Sequence, residues 1–217
     1  MSEDPLNKQK LVPYLVNHIE GFSGLKNVKK FSIGQSNPTF LLETDTNSYV
    51  IRRKPDGPLL KSAHAIDREY RVQKALYNTP VPVAKMLHYC NDDSILGVEF
   101  YVMEFVDGIV YEDPALPGLT NSDRQKVFSE INRGLSSLHK VDIETVGLTD
   151  FGAEGNYYER QIGRWSKQYL SSETEKISEM NEMMEELPKK IPTDNSTRSL
   201  VHGDFRLDNM IFDKNEP

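Results

Sequence analysis

The chain has 217 residues, of which 37% are hydrophobic and 27% charged, a composition typical of a globular protein and not of a disordered one. Its formal net charge of −7 excludes the broad basic surface by which proteins bind nucleic acids or anionic membranes. No run of about 18 apolar residues occurs, which excludes a transmembrane helix, and the single cysteine, Cys90, excludes an internal disulfide.

The sequence carries little information on the cellular compartment. The lone cysteine and the lack of any Cys/His cluster with zinc spacing fit an intracellular, reducing compartment. Residues 1–20 contain acidic side chains and no apolar stretch, so we predict neither a secretory signal nor a transit peptide there.

In chain order, the first predicted elements are a helix and three short strands. Residues 5–20 place leucines at helical spacing and end before Gly21, which predicts an amphipathic helix. Residues 28–33, 39–43 and 48–53 are rich in β-branched and aromatic side chains, and short polar turns separate them. We predict a three-stranded meander from this pattern.

The next predicted elements are one helix and two further strands. Residues 65–77 return to helical spacing, with Ile66, Tyr70 and Leu76 able to face a sheet. After a proline-containing break, residues 84–89 and 98–106 predict two strands. Five strands with one helix inserted after the third is the order of elements in the small lobe of a protein kinase.

Beyond Gly108 the predicted elements are mainly helices. Residues 122–139 repeat apolar side chains on one stripe, so we expect a buried helix, capped by Asn121 or Ser122. The stripe consists of Val127, Phe128, Ile131, Leu135 and Leu138. Residues 156–187 predict two more helices, and we attribute the methionines of the second helix to packing and not to metal binding.

Together these elements predict an α+β fold of the two-lobed protein-kinase type. Residues 1–106 would form an N-lobe with the N-terminal helix and an antiparallel five-stranded sheet, and this lobe would bind nucleotide. Residues 107–217 would form an incomplete, mainly helical C-lobe that carries a catalytic loop.

The polar segment 202–209 gives the strongest chemical signal. Asp204 is followed five positions later by Asn209, the spacing of phosphoryl-transfer loops in which the aspartate orients the attacking hydroxyl and the asparagine holds Mg²⁺. The apolar residues 200–201 and 210–212 flank this segment and predict two short strands. A coincidental turn is the alternative, but the position after all the kinase-like elements favours a catalytic loop, with Asp204 as catalytic residue and Asn209 as metal ligand.

Gly34, Ser36 and Asn37 lie in the predicted turn between the first two strands. A kinase fold covers the nucleotide phosphates with a loop at this position, where small residues let backbone N–H groups approach the phosphates. We predict that these three residues bind nucleotide, although an ordinary hairpin turn uses the same residue types.

Arg52 lies on the third predicted strand, where protein kinases have a lysine that binds the nucleotide phosphates. Because side chains alternate along a strand, Arg52 and Arg53 face opposite sides, and Arg52 is the better candidate for phosphate contact. We predict Glu69 on the following helix as its ion-pair partner, with Asp67 as the competitor. A basic strand end that faces solvent is the alternative explanation.

Met103, Glu104 and Val106 lie where the fifth predicted strand runs into Asp107 and Gly108, between the strand-rich and helix-rich halves. This is the position of the hinge in a kinase fold. We predict that backbone groups near Glu104 and Val106 bond the edge of an adenine ring and that Met103 lies behind the base.

With these motifs in place, the chain resembles the aminoglycoside phosphotransferase family of small-molecule kinases, which is related to choline, homoserine and fructosamine kinases. The resemblance extends over nearly the whole chain, and it is most specific where His-Gly-Asp replaces the His-Arg-Asp of protein kinases. The segments that carry it are 33–37, 50–55, 68–70, 103–108, 138–139 and 202–209. Residues 36–39, 51–55 and 202–209 are especially similar to the phosphotransferase-like domain that precedes an acyl-CoA dehydrogenase.

The resemblance implies ATP, Mg²⁺ and a small-molecule hydroxyl acceptor. The closer similarity implies a hydroxylated acyl acceptor, free or as a CoA thioester, a C-terminal dehydrogenase domain as partner, and a peroxisomal or mitochondrial setting. A non-catalytic nucleotide-binding or regulatory module attached to such a dehydrogenase is the alternative. A protein kinase is disfavoured by His-Gly-Asp and by the lack of a recognisable activation segment.

The family also carries a second metal-binding aspartate and several helices after the catalytic loop, whereas this sequence ends at Pro217. We therefore expect the 217-residue chain to be a truncated form with little or no turnover. We also expect an exposed apolar face near Leu135, Leu138, Ile211 and Phe212.

Overall fold

The computed structural model describes residues 6–32, 37–57, 64–153, 155–193 and 198–215. The fold is built on a five-stranded antiparallel sheet with the spatial order β1-β2-β3-β5-β4. The strands are β1 (Asn27–Lys30), β2 (Thr39–Glu43), β3 (Ser48–Arg53), β4 (Met86–Cys90) and β5 (Phe100–Glu104). The predicted antiparallel five-stranded sheet is confirmed, and β2 and β3 have the predicted bounds.

Helices precede, interrupt and follow the sheet. They are α1 (Lys8–His18), α2 (Ile66–Leu76), α3 (Asp93–Leu96), α4 (Asn121–His139), α5 (Tyr157–Ser172) and α6 (Ser178–Glu186), with 3₁₀ turns at Leu187–Lys190 and Leu207–Asn209. The short helix α3 was not predicted; the Asp92 carboxylate caps it by accepting from the Ser94 N–H at 2.8 Å. Within the described ranges, no helix is long and apolar enough to cross a membrane.

The first helix packs on one face of the sheet. Leu11 and Leu15 of α1 are fully buried, and they belong to one apolar cluster with Phe40, Ile51 and Phe100 from three strands. Truncating a buried leucine typically costs about 2–5 kcal/mol. The helix α1 is therefore part of the core that holds the sheet in shape.

Helix α2 packs on the opposite face of the sheet. As predicted, Ile66 and Leu76 are buried in α2, and Tyr70 packs against the cluster that Ile66 forms with Met86 and Tyr101. This packing places α2 over β4 and β5, on the face of the sheet that also carries the even-numbered side chains of β3.

The N-terminus of α4 lies one residue from the predicted position. The Thr120 hydroxyl accepts from the Asp123 N–H at 3.2 Å and donates to the Asp123 carboxylate at 2.7 Å. Thr120 is therefore the cap, and the predicted cap at Asn121 or Ser122 is wrong.

The buried stripe of α4 is narrower than predicted. Val127 and Leu138 are buried and lie about three turns apart on one side of the helix. Phe128 is 46% exposed, because the residue next to Val127 points roughly 100° away from the core contact. The prediction that Phe128 is buried is wrong.

The two strands predicted around the polar loop are also wrong. The segment on its N-terminal side forms no regular structure, and the segment after it contributes an isolated bridge between Phe212 and Ile109. Of the four residues expected to form an exposed apolar face, Ile211 is exposed and Leu135 is half-buried. Leu138 and Phe212 are buried, so the prediction that these two residues are exposed is wrong.

By compactness the chain divides into two units. One consists of residues 1–146 and 199–217, and the other of residues 147–198. The second unit contains α5 and α6, and neither helix has a buried residue. This division differs from the predicted lobe boundary at residue 106, which stays a prediction.

Candidate active site

Arg52 and Glu69 form an ion pair that joins β3 to α2. Arg52 Nε lies 2.8 Å from Glu69 Oε2, and the two side chains are 25% and 34% exposed. Glu69 follows the buried Ile66 by three residues, which puts both side chains on the sheet-facing side of α2. The prediction of Glu69 over Asp67 as the ion-pair partner of Arg52 is confirmed.

Arg53 binds a different carboxylate from Arg52. Its side chain is buried on the opposite face of β3 and makes two parallel hydrogen bonds to Asp56, of 2.9 and 2.5 Å. These hydrogen bonds hold the pKa of the Asp56 carboxyl below its ordinary value. Arg53 therefore stabilises the end of β3, and Arg52 is the arginine that stays partly open to solvent.

Three neighbouring side chains hold the Arg52–Glu69 ion pair in place. The Tyr101 hydroxyl donates to Glu69 Oε2 at 3.1 Å, Asn37 Nδ2 donates to Glu69 Oε1 at 2.9 Å, and Arg52 Nη1 donates to the Thr39 hydroxyl at 3.2 Å. Burial, and then the charge of Glu69, raise the pKa of Tyr101 far above its ordinary value, so its hydroxyl stays a donor at neutral pH. Both carboxylate oxygens of Glu69 are thus satisfied, which fixes the direction of the guanidinium.

The turn predicted to cover the phosphates is only partly described. Gly34 and Ser36 lie outside the described residues, and their phosphate contacts stay predictions. Asn37 is only 1% exposed, and its Oδ1 lies 2.8 Å from His64 Nδ1. The Asn37 amide is therefore engaged by protein groups on both sides, an arrangement that the sequence analysis did not predict.

The predicted hinge residues lie at the end of β5. Met103 is half-buried between its strand neighbours Val50 on β3 and Met86 on β4. The Glu104 N–H donates to the Lys85 carbonyl at 3.0 Å, so that N–H is unavailable to a base. Val106 follows the strand and is 38% exposed. The nucleotide contacts of these residues stay predictions.

The predicted catalytic loop brings Asp204 and Asn209 together. Asn209 Nδ2 donates to Asp204 Oδ2 at 3.0 Å and to the Asp204 carbonyl at 2.9 Å. Gly203 has a φ of 85°, in the left-handed region that other residues enter only with strain. This conformation explains the glycine of the His-Gly-Asp motif. His202 Nδ1 accepts from the Asp204 N–H at 3.3 Å, and this hydrogen bond braces the loop.

Arg206 was missed by the sequence analysis. Its Nε lies 3.2 Å from Asp204 Oδ1 and its Nη2 lies 2.8 Å from Asp208 Oδ2. All three side chains are at least partly exposed, so each contact alone contributes little stability. The two aspartates that flank Arg206 at a distance of two residues could have indicated this bridge.

Apolar contacts and a short bridge anchor the loop from behind. Leu207 and Phe212 are buried against Leu116, which precedes α4, and Val127 on α4. Phe212 and Ile109 exchange two backbone hydrogen bonds of 2.8 Å. The loop at 202–209 is therefore attached to the residues that shortly follow β5.

A second contact reinforces this attachment. Lys214 Nζ lies 2.5 Å from Asp107 Oδ1, and Gly108 lies so close to Ile211 and Phe212 that it leaves no space for a side chain. The strand β5 thus connects the two groups of predicted site residues. It carries Tyr101, which binds Glu69, and it leads to residues 107–109, which contact the segment after the loop at 202–209. Both groups belong to the same compact unit.

The donor set of the loop is suitable for Mg²⁺. Because Asn209 Nδ2 is bound to Asp204, Asn209 Oδ1 is the amide atom that can face a cation, and Asp204 adds carboxylate oxygens nearby. Magnesium prefers such oxygen ligands and keeps several waters. Among the described residues, no group of three or more His, Cys, Asp or Glu side chains could hold a metal by itself.

The arrangement of sheet, ion pair and Asp–Asn loop is that of a protein-kinase-like phosphotransferase. Residues 27–217 match the model of the phosphotransferase enzyme family, and the chain belongs to this family. Over 215 residues it is 43% identical to acyl-CoA dehydrogenase family member 10 of Mus musculus. That match covers 96% of this chain and 20% of the mouse protein, so the chain spans about a fifth of the length of this relative.

Two solved structures share the fold. A protein from Ralstonia eutropha JMP134, provisionally named an aminoglycoside phosphotransferase, is 47% identical, with a TM-score of 0.83 over 94% of this chain and 60% of that chain. The ternary complex of APH(2")-IIa with streptomycin and ATP is 21% identical, with a TM-score of 0.62 over 94% of this chain and 66% of that chain, and this likeness shows the fold alone. The predicted kinase-like α+β fold is confirmed.

Proposed function

We propose that this region binds ATP with Mg²⁺ and transfers the γ-phosphoryl group to a hydroxyl group of a small molecule. The observation that carries the proposal is the pairing of Asn209 with Asp204, which leaves an amide oxygen and a carboxylate together on an exposed loop. Membership of the phosphotransferase enzyme family supports it.

In this proposal Arg52 binds the phosphates of the nucleotide. Its guanidinium is held by Glu69 from one side and remains a quarter exposed, so it can contact a phosphate without breaking the ion pair. A planar guanidinium binds two phosphate oxygens at once, whereas the lysine of protein kinases acts as a point charge. The phosphate geometry therefore differs in detail from that of a protein kinase.

Asp204 orients the acceptor hydroxyl and takes its proton as the new P–O bond forms, while the bond between the γ-phosphorus and the β–γ bridging oxygen breaks and ADP leaves. Phosphoryl transfer needs positioning and charge neutralisation more than a strong base, so an exposed carboxylate braced by Arg206 and Asn209 is sufficient for this role. Bound Mg²⁺ would neutralise charge on the transferring phosphoryl group, and Asn209 is the residue that would hold it.

The acceptor that we propose is a hydroxyacyl acid or its CoA thioester. The support is the similarity to an acyl-CoA dehydrogenase family member, of which this chain spans only a fifth. A dehydrogenase region in the same polypeptide would then act on the acyl chain in fatty-acid catabolism. On this basis we also propose a peroxisomal or mitochondrial setting, which localisation of the tagged parent protein would test.

The function is tested by transfer of labelled γ-phosphate from Mg·ATP to a panel of hydroxyacyl-CoA thioesters, with an aminoglycoside as comparison. In the longer parent protein we expect label on the acyl acceptor, and a decrease of about 10²- to 10⁴-fold in Asp204→Asn. The matched control is Asp45→Asn, which removes an exposed carboxylate in the turn between β2 and β3. Binding of Mg·ATP without transfer to any acceptor would favour the non-catalytic nucleotide-binding module instead.

The same assay addresses the 217-residue chain. Its low turnover stays a prediction, and a rate equal to that of the parent protein would contradict it.

A further inference from the structure

The least expected feature of the site is the buried side chain of Asn37. Polar side chains that are buried are normally hydrogen-bonded, and a buried amide that touches two separate segments fixes both of them. Asn37 lies two residues before β2, and it contacts Glu69 on α2 and His64 just before α2. It therefore ties the end of the predicted phosphate turn to the start of the helix that supports Arg52.

The chemistry of these contacts fixes the orientation of every group. Glu69 Oε1 can only accept, so the Asn37 atom at 2.9 Å from it must be the Nδ2 donor. The other amide atom, Oδ1, is then an acceptor, and His64 Nδ1 at 2.8 Å must carry the hydrogen. The contact with Asn37 thus requires a hydrogen on Nδ1 of the His64 ring.

The backbone of His64 supports a specific role for this contact. His64 has a φ of 60°, a left-handed conformation that is uncommon for residues other than glycine, although asparagine and histidine adopt it more readily than most. Such strain persists only where surrounding contacts determine the conformation, and it concentrates at functional sites. Two described contacts hold this turn: the side-chain hydrogen bond to Asn37, and the Ile66 N–H, which donates to the His64 carbonyl at 2.9 Å.

We propose that Asn37 and His64 are positioning residues that hold the Arg52–Glu69 ion pair in the geometry that binds nucleotide phosphates. This inference rests on the proposed function, since it assigns a role within the same site. Asn37 supplies a donor to Glu69, and His64 holds the Asn37 amide in the required orientation. Neither side chain contacts the nucleotide in this proposal.

Calorimetric titration of the chain with Mg·ATP tests the inference. The titration is carried out at a temperature well below the midpoint of thermal unfolding, so that a less stable variant stays folded and only its affinity is measured. Asn37→Ala removes the donor, and we expect Kd to rise by at least about fivefold. Asn27→Ala is the matched control, because Asn27 Nδ2 donates to Glu43 at 2.7 Å in an exposed asparagine–glutamate pair of the same sheet.

Two variants of His64 separate the hydrogen bond from the backbone strain. His64→Gly accepts the left-handed conformation but lacks the donor, whereas His64→Asn accepts it and keeps an amide donor. We expect His64→Gly to weaken binding by at least about fivefold and His64→Asn to stay within about twofold of the wild-type chain. If Asn37→Ala fails to fold, these two variants still test whether the hydrogen bond between His64 and Asn37 supports nucleotide binding.

The imidazole tautomer gives a second readout that needs no nucleotide. Long-range ¹H–¹⁵N spectra of the wild-type chain should show His64 protonated at Nδ1, and Asn37→Ala should lose this preference. Wild-type affinity in both Asn37→Ala and His64→Gly, or a wild-type His64 protonated at Nε2 alone, would overturn the inference and leave the proposed function intact. No binding of Mg·ATP by the wild-type chain would overturn the proposed function, and the inference with it.

Discussion

Gly108 and Phe212 lie so close together that a Cβ atom at residue 108 would come within 2.4 Å of the Phe212 carbonyl oxygen. The same Cβ would meet the Ile211 side chain at 2.4 Å. The glycine is thus required by a close approach of two backbone segments, one just after β5 and one just after the loop at 202–209.

Gly108→Ala is expected to displace the catalytic loop. The clash is with backbone, which cannot move aside as a flexible side chain can, so we expect a loss of about 1–3 kcal/mol in the free energy of unfolding. Chemical denaturation measures this loss. The matched control is Gly134→Ala on α4, where a Cβ has no atom within 4 Å; it should raise the free energy of unfolding by about 0.5–1 kcal/mol. An equal change in the free energy of unfolding in the two variants would contradict the close approach of Gly108 to Phe212.

Thr120→Ala is expected to destabilise α4 by about 1 kcal/mol, because it removes the hydroxyl that caps the helix. Asn121→Ala and Ser122→Ala, at the two positions that the sequence analysis predicted as caps, should each change the free energy of unfolding by less than about 0.5 kcal/mol. Urea denaturation of the three variants measures the difference. A larger effect at residue 121 or 122 than at 120 would place the cap elsewhere.

The half-buried contact between α1 and β4 is expected to make stability depend on pH. His88 Nε2 lies 2.9 Å from the Tyr14 hydroxyl, and burial, and then the neighbouring His18, lower the pKa of His88 below its ordinary value of 6.5. As the pH falls, His88 therefore takes up a proton at a higher pH in the unfolded chain than in the folded chain. The free energy of unfolding should for this reason decrease as the pH falls below 6.5.

Denaturation between pH 7.5 and about pH 5, the range in which histidine titrates, tests this dependence. His88→Gln should remove part of the acid sensitivity, whereas Tyr14→Phe keeps the titrating ring and should retain it. If the free energy of unfolding of His88→Gln decreases at low pH as much as that of the wild-type chain, His88 is not the cause of the pH dependence.

Some of the site followed from local patterns in the sequence. The two-residue repeat of a strand separated Arg52 from Arg53, and the acid expected on the helix after the third strand is Glu69, with Asp67 left as the competitor. The pairing of Asp204 with Asn209 followed from their spacing in a known type of loop.

Other parts of the site depend on contacts between distant segments. Asn37 and His64 are 27 residues apart, and nothing periodic in the sequence links them. Gly108 meets Phe212 only because the chain returns to the hinge after the whole helical half. Phe128 was included in the apolar stripe of α4, but the tertiary contact covers a narrower face of the helix.

The central claim, a nucleotide site built from Arg52 and Asn209, is tested most directly by titration with ATP in the presence and absence of Mg²⁺. The wild-type chain and the variants Arg52→Ala and Asn209→Ala are titrated in parallel. We predict Mg²⁺-dependent binding that weakens at least about tenfold in each of these two variants. Arg133→Ala, which removes an exposed arginine paired with a glutamate on α4, should bind as the wild-type chain does. No binding by the wild-type chain, or equal affinity in all three variants, would contradict a nucleotide site built from Arg52 and Asn209.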